Sequence, residues 1–193
     1  MNFRPFLSAA VLALSACRAS APDEPPLAGA RIGGSFALVN QDGRQTTDRS
    51  FDGRYRLMYF GYTYCPDVCP VDLQKLMAGY GRLEKTDPQA AARISPIFVS
   101  VDPERDKPSV LKQYVAAFHP KLTGLTGTPE QIAATAKKYA IIYSKEQQAG
   151  ASGYLMNHSR LAYLFGSDGK PIALIPHDAA PDVVAAELKR WVR

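Results

Sequence analysis

The chain has 193 residues, 46% of them hydrophobic and 21% charged, which is enough for one sizeable core and too few for two comfortable domains. Fifteen prolines and fourteen glycines fall short of the bias that collagen-like, coiled-coil or wholly disordered chains require. Lysine and arginine outnumber the acids 23 to 18, and a net +5 scattered along the chain is no phosphate-backbone footprint, so nucleic acid is not expected as a partner.

The N-terminal stretch has one early positive charge, Arg4, and then an apolar run from Phe6 to Leu14, the pattern of an export signal. The run is shorter than the ~18 residues a membrane-crossing helix needs, and no later segment comes near that length. Leu14-Ser15-Ala16-Cys17 resembles the bacterial lipobox, which implies a signal peptide over residues 1–16 and a lipidated Cys17 as the first mature residue. More than one acyl chain on such a cysteine gives stable anchoring. Residues 17–30 are rich in Pro and Ala without apolar periodicity and are expected to form a flexible tether, long enough to hold a domain of residues 31–193 up to about 40 Å from a bilayer. Arg18 stands where many inner-membrane lipoproteins carry Asp, which leaves both membranes open as the destination.

Within the domain, Phe36–Val39, the turn Asn40-Gln41-Asp42-Gly43 and Arg44–Thr47 predict an N-terminal hairpin. Arg56–Tyr62 is an apolar run of strand length, and Leu73, Leu76, Met77, Tyr80 and Leu83 then follow at helical spacing. Ile94–Val101 predicts a second buried strand, and Pro108 opens a helix through Leu111, Val115 and Phe118. The short Leu122–Thr126 segment precedes Thr128-Pro129-Glu130-Gln131, a capping box that starts a helix to about Tyr139. Leu161–Phe165, a Ser167–Gly169 turn and Pro171–Ile175 read as a hairpin, and Pro181 begins a last helix through Val184, Leu188 and Trp191. This order predicts an α/β, thioredoxin-like domain with a central mixed sheet and helices on both faces.

Cys65 and Cys69 lie in Tyr62-Thr63-Tyr64-Cys65-Pro66-Asp67-Val68-Cys69-Pro70, between the end of a buried strand and the start of a helix, where ligands bind in open α/β sheets. Unpaired amides and the helix dipole there favour thiolate. Pro66 bars Cys65 from helical geometry while Cys69 can enter the first turn. The pair can therefore converge on a metal or close a redox-active disulfide after a modest movement. A purely structural disulfide is a weak explanation, since a five-residue ring yields only about 2 kcal/mol against ~4.7 for a hundred-residue loop.

Three histidines could complete a metal site. His119 beside Pro120 and His177 after Pro176 read as solvated loop residues, whereas His158 precedes the Leu161–Phe165 strand, in a sheet-end loop that can meet the cysteine loop. Two thiolates and an imidazole match copper in softness, and with an open fourth position the same set suits zinc.

The block Gly61–Pro70, together with Ser100–Asp106, Leu122–Gly127 and His158-Ser159 with Tyr163-Leu164, resembles the Sco/SenC family of copper-binding cytochrome c oxidase assembly factors over roughly residues 32–192. The resemblance implies a thioredoxin-like fold and one copper ion, Cu(I) or Cu(II), held by Cys65, Cys69 and His158. It also implies a membrane-tethered domain facing the periplasm, a periplasmic copper donor, and delivery to the dinuclear copper site of the oxidase's second subunit. A metallochaperone is expected rather than an enzyme; the rivals are a thiol-disulfide oxidoreductase in which Cys65 and Cys69 are catalytic, or a copper or redox sensor. Many relatives have Asp before the ligand histidine where this chain has Asn157, and Asp67 and Asp102 read as turn or capping residues.

Overall fold

The computed structural model describes residues 24–147 and 153–193, so the expected signal peptide and Cys17 lie outside the described residues. Nine strands and five α-helices follow in chain order: β1 (Ala37–Asn40), β2 (Gln45–Thr47), β3 (Tyr55–Gly61), α1 (Val68–Thr86), α2 (Pro88–Ala92), β4 (Ile94–Ser100), α3 (Pro108–Ala116), β5 (Thr123–Thr126), α4 (Pro129–Lys138), β6 (Tyr143–Gln147), β7 (Tyr154–His158), β8 (Ala162–Phe165), β9 (Pro171–Leu174) and α5 (Pro181–Trp191). The expected opening hairpin is present, and Gly43 supplies its turn with a φ of 76°.

Seven strands form one mixed sheet in the order β2-β1-β5-β4-β3-β8-β9. Strands β3, β4 and β5 run parallel at its centre, while β1 and β8 join antiparallel on either side. All seven residues of β3 and of β4 are buried, as parallel strands covered on both faces must be. Helices α1 and α3 cover one face through Tyr59, Phe98 and Tyr114, and the C-terminal end of α4 covers the other, where Tyr139 meets Phe60 and Phe165. The thioredoxin-like α/β reading of the sequence is thus the observed architecture.

Three features differ from expectation. Strands β6 and β7 form a separate two-stranded sheet, and helix α2 is additional; β6 and β7 carry too many exposed polar positions to show an apolar period, and α2 has only five residues. Contacts with the domain also begin before residue 31: Leu27 packs on the core and its N–H donates to Ile172 O at 3.0 Å, so part of the expected tether is docked on edge strand β9.

Helix α5 packs on α1 where Gly79 leaves no side chain: a Cβ there would overlap Cβ and Cγ1 of Val184 and lie 3.1 Å from Pro181 O. Alanine gains about 1 kcal/mol of helix propensity over glycine, but overpacking against a stiff β-branched side chain costs about 1–3 kcal/mol. Gly79→Ala is therefore expected to lower the urea midpoint at unchanged m-value, and an unchanged or raised midpoint contradicts this packing.

Candidate metal centre

Strand β3 ends at Gly61, and α1 begins at Val68 after a six-residue connection. Cys65 sits in the connecting loop, half-buried, and Cys69 in the first turn of α1 is fully buried. Pro66 keeps Cys65 out of the helix, and the Cys69 N–H points at Cys65 Sγ from 3.4 Å, so a helix-terminal amide donates to sulfur. Gly61 makes room for the second thiol: a Cβ on it would stand 3.1 Å from Cys69 Sγ and 3.1 Å from the Phe98 ring. No disulfide joins the two cysteines.

His158 comes from the other side. It is the last residue of β7, not a loop residue as its surroundings in sequence suggest, and its Nε2 lies 3.0 Å from Cys69 Sγ. Its Nδ1 faces Ser159 O at 3.1 Å; a carbonyl only accepts, so Nδ1 carries a proton there and Nε2 is the nitrogen turned to the sulfurs. Tyr59 and Tyr62 meet the imidazole edge-on, with ring centroids 6.4 and 5.9 Å away.

The two sulfurs divide one proton unequally. Cys65 is held far below a free cysteine because the Cys69 side chain hydrogen-bonds it, outweighing burial, with further support from His158 and the amides of Asp67 and Cys69. Cys69 is pushed up by that same bond and by its own burial. The resting pair is a thiolate beside a thiol, and a metal that takes both sulfurs must displace one proton.

Polar clusters around the sulfurs fix the loops. Asp106, fully buried, accepts from Thr63 N at 3.0 Å, Thr63 Oγ1 at 2.6 Å and Ser100 Oγ at 2.5 Å, tying the cysteine loop to the end of β4; burial raises its carboxyl above the ordinary range despite these bonds. Asp102 opens a turn as expected, its carbonyl accepting from the Arg105 and Asp106 amides at 3.3 and 2.9 Å, and its buried carboxylate is also paired with Arg105 at 2.5 Å and accepts from Tyr154 Oη at 2.8 Å. Arg105 also donates to Tyr154 O at 2.9 Å and lies over the Tyr154 ring at 3.7 Å, which fastens the start of β7. Asp72, 1% exposed on α1, accepts from Tyr59 Oη at 2.9 Å and from Arg160 Nε and Nη2 at 2.9 and 2.7 Å. Burial alone would raise its carboxyl, but the Arg160 and Tyr59 hydrogen bonds and the His177 and Arg160 charges prevail and leave it below the usual range.

The other histidines are not solvated as expected. His119 is 15% exposed and bonded to Glu84 Oε2 at 2.9 Å, and His177, equally covered, stands 3.5 Å from Asp72 Oδ2. Neither completes a metal site: among the described residues no group of three or more His, Cys, Asp or Glu side chains stands in an arrangement that could hold a metal ion as it is. Asp67 occupies the N-cap position of α1 but makes no side-chain capping bond. Asn157 is exposed and bonded to Glu146 across the hairpin, alternating away from the face that carries His158. Sequence reasoning missed Asp72, Arg105, Tyr154 and Arg160, which stand in no motif with the cysteines and become informative only once the chain is folded.

The donor set suits a soft ion. The 3.0 Å between Cys69 Sγ and His158 Nε2 is a hydrogen-bond length. Two such ligands on one ion, at bond lengths of ~2.3 and ~2.0 Å and tetrahedral or trigonal angles, stand about 3.5–3.7 Å apart, so they need to part by less than about 1 Å.

A thioredoxin-like domain that brings two thiols and an imidazole together at the carboxyl end of its sheet is a compact class. The SCO1/SenC family model matches residues 24–193, and the chain belongs to that family. It is 42% identical over 146 residues to Protein SCO1 homolog 1, mitochondrial, of Arabidopsis thaliana, covering 75% of this chain and 42% of that one; the chain spans about half the length of such curated relatives. The structure of Bradyrhizobium japonicum ScoI with copper bound matches with a TM-score of 0.75 and 39% identity, over 83% of this chain and 99% of that one. BsSco, described with a disulfide switch and as a member of the Sco family of cytochrome c oxidase assembly proteins, matches with a TM-score of 0.57 and 26% identity, over 81% of this chain and 90% of that one.

The unequal pair makes a direct prediction for the chelator-treated protein. Iodoacetamide is expected to modify Cys65 first, at pH values where a free cysteine is largely protonated, and Cys69 only on unfolding, as read by peptide mapping. Preferential labelling of Cys69 in the folded protein would contradict the arrangement.

Proposed function

We propose that this domain binds one copper ion through Cys65, Cys69 and His158 and passes it to the dinuclear copper site of cytochrome c oxidase's second subunit. The observation that carries the reading is the Cys69–His158 contact, which joins residues 89 apart in sequence into one donor cluster beside Cys65. Two thiolates and a neutral imidazole leave a bound Cu(I) centre with a charge of −1, and loss of the one remaining sulfur proton couples uptake to pH. Half-buried Cys65 offers the sulfur through which an incoming ligand can exchange, while the sealed Cys69 retains the ion. Support comes from Bradyrhizobium japonicum ScoI and Arabidopsis thaliana ScoI, both described with copper bound.

The same proposal extends to the address. Residues 1–16 act as an export signal, Cys17 carries the lipid, and the segment up to the docked Leu27 tethers the domain on the periplasmic face, where a periplasmic donor supplies copper. No helix among the described residues is long and apolar enough to cross a membrane, which leaves the lipid as the anchor in this reading.

The second reading, a thiol-disulfide oxidoreductase acting on partner cysteines, is favoured by the contact of the two sulfurs, in which Cys65 is pushed toward thiolate and Cys69 toward thiol, the division that such chemistry uses. The two readings part at His158. Cys65→Ala and Cys69→Ala are expected to abolish stoichiometric Cu(I) binding in competition with a chromophoric chelator, and His158→Ala to weaken it at least about tenfold. Under the copper reading, His158→Ala also fails to support oxidase assembly in cells. Undiminished copper affinity in that variant, with reduction of partner disulfides intact, would transfer the function to redox chemistry.

A further inference from the structure

The hairpin that carries His158 is not part of the main sheet, so the β3–β8 pairing brings its end near α1 but no strand ladder fixes the remaining distance. Side chains must do so. At the start of β7, Arg105 holds Tyr154; at the other end, Arg160 reaches from two residues beyond His158 to Asp72, one helical turn beyond Cys69 on α1. The fork is bidentate, at 2.9 and 2.7 Å, and the carboxylate that receives it is 1% exposed while the Arg160 side chain remains 45% exposed. Tyr59 from β3 donates to the same carboxylate at 2.9 Å, and its ring meets the His158 imidazole edge-on. His177 completes the surroundings at 3.5 Å. One carboxylate therefore gathers the helix of Cys69, the segment after His158 and the strand beneath them. An exposed ion pair on an ordinary surface would be worth little, but here removing either partner strands a buried charge or frees the hairpin end.

We propose that Asp72 and Arg160 are positioning residues for the metal centre: their forked pair sets the separation of His158 Nε2 from Cys69 Sγ and so governs how tightly the three-donor set holds its ion. The inference rests on the copper reading above and concerns residues outside the donor set.

The test is a set of Cu(I) affinities, measured by chelator competition on the folded domain of Arg160→Gln, Asp72→Asn, the double variant, Arg160→Lys and His158→Ala, alone and combined with Arg160→Gln. Each single loss of the fork is expected to weaken binding about tenfold to a hundredfold. The double variant should be no weaker than the worse single one, and Arg160→Lys, which keeps charge but not the fork, should fall between Arg160→Gln and the unaltered protein. A merely structural role is excluded by the His158→Ala background, where adding Arg160→Gln should change affinity less than about twofold because no imidazole is left to position. If Asp72→Asn fails to fold, the two half-exposed Arg160 variants carry the test. Binding by Arg160→Gln within about twofold of the unaltered protein, while His158→Ala is weakened, overturns the positioning role alone. Failure of the unaltered protein to take up one Cu(I), or a His158→Ala affinity equal to it, overturns the copper reading and this inference together.

Discussion

The site depends on one pairing in the sheet: β8 lies antiparallel beside β3, with Tyr59 opposite Ala162 and Arg56 opposite Phe165. A strand that leaves upward and a neighbour that enters downward share the same end. The residues after β3, which hold both cysteines, and the residues before β8, which hold His158, are therefore neighbours in space although 89 positions separate Cys69 from His158. The parallel pairing of β3 with β4 adds a third loop at that end, carrying Asp102, Arg105 and Asp106. Every chemical feature of the centre lies where these three connections meet, the carboxyl end at which open α/β sheets bind ligands.

Concentrating two sulfurs and three sealed carboxylates at one end of a sheet would be unstable without compensation. The compensation differs for each acid. Asp72 and Asp102 are paired with guanidinium groups, whereas Asp106 has only hydroxyl and amide donors, and it is the carboxyl that burial raises. The helix N-terminus provides a further positive field at Cys65. Such networks hold loops in a single arrangement, so these acids serve position rather than charge storage.

The sequence made much of this legible, and for identifiable reasons. Buried parallel strands such as β3 and β4 show themselves as short apolar runs, the Thr128 capping box announces α4, and Pro66 between two cysteines marks a loop turning into a helix. The cysteines and His158 stood out because few side chains have their chemistry. The β6–β7 hairpin was hidden because Tyr143–Gln147 has no buried residue and β7 has one, Met156, so no apolar alternation betrays them. Asp72 and Arg160 were hidden for a different reason: an acid and an arginine 88 positions apart look like solvated surface until topology closes the gap. The misreading of His119 and His177 has the same origin, since a loop position says nothing of the carboxylate folded against it.

Leu27 lends its amide to Ile172 on β9, a strand whose Pro171 stands beside Phe165, which in turn faces Arg56 at the beginning of β3. The thiols stand past the finish of that strand. Leu27 thus meets the domain at the pole opposite its reactive one, where it covers part of the open margin of the sheet.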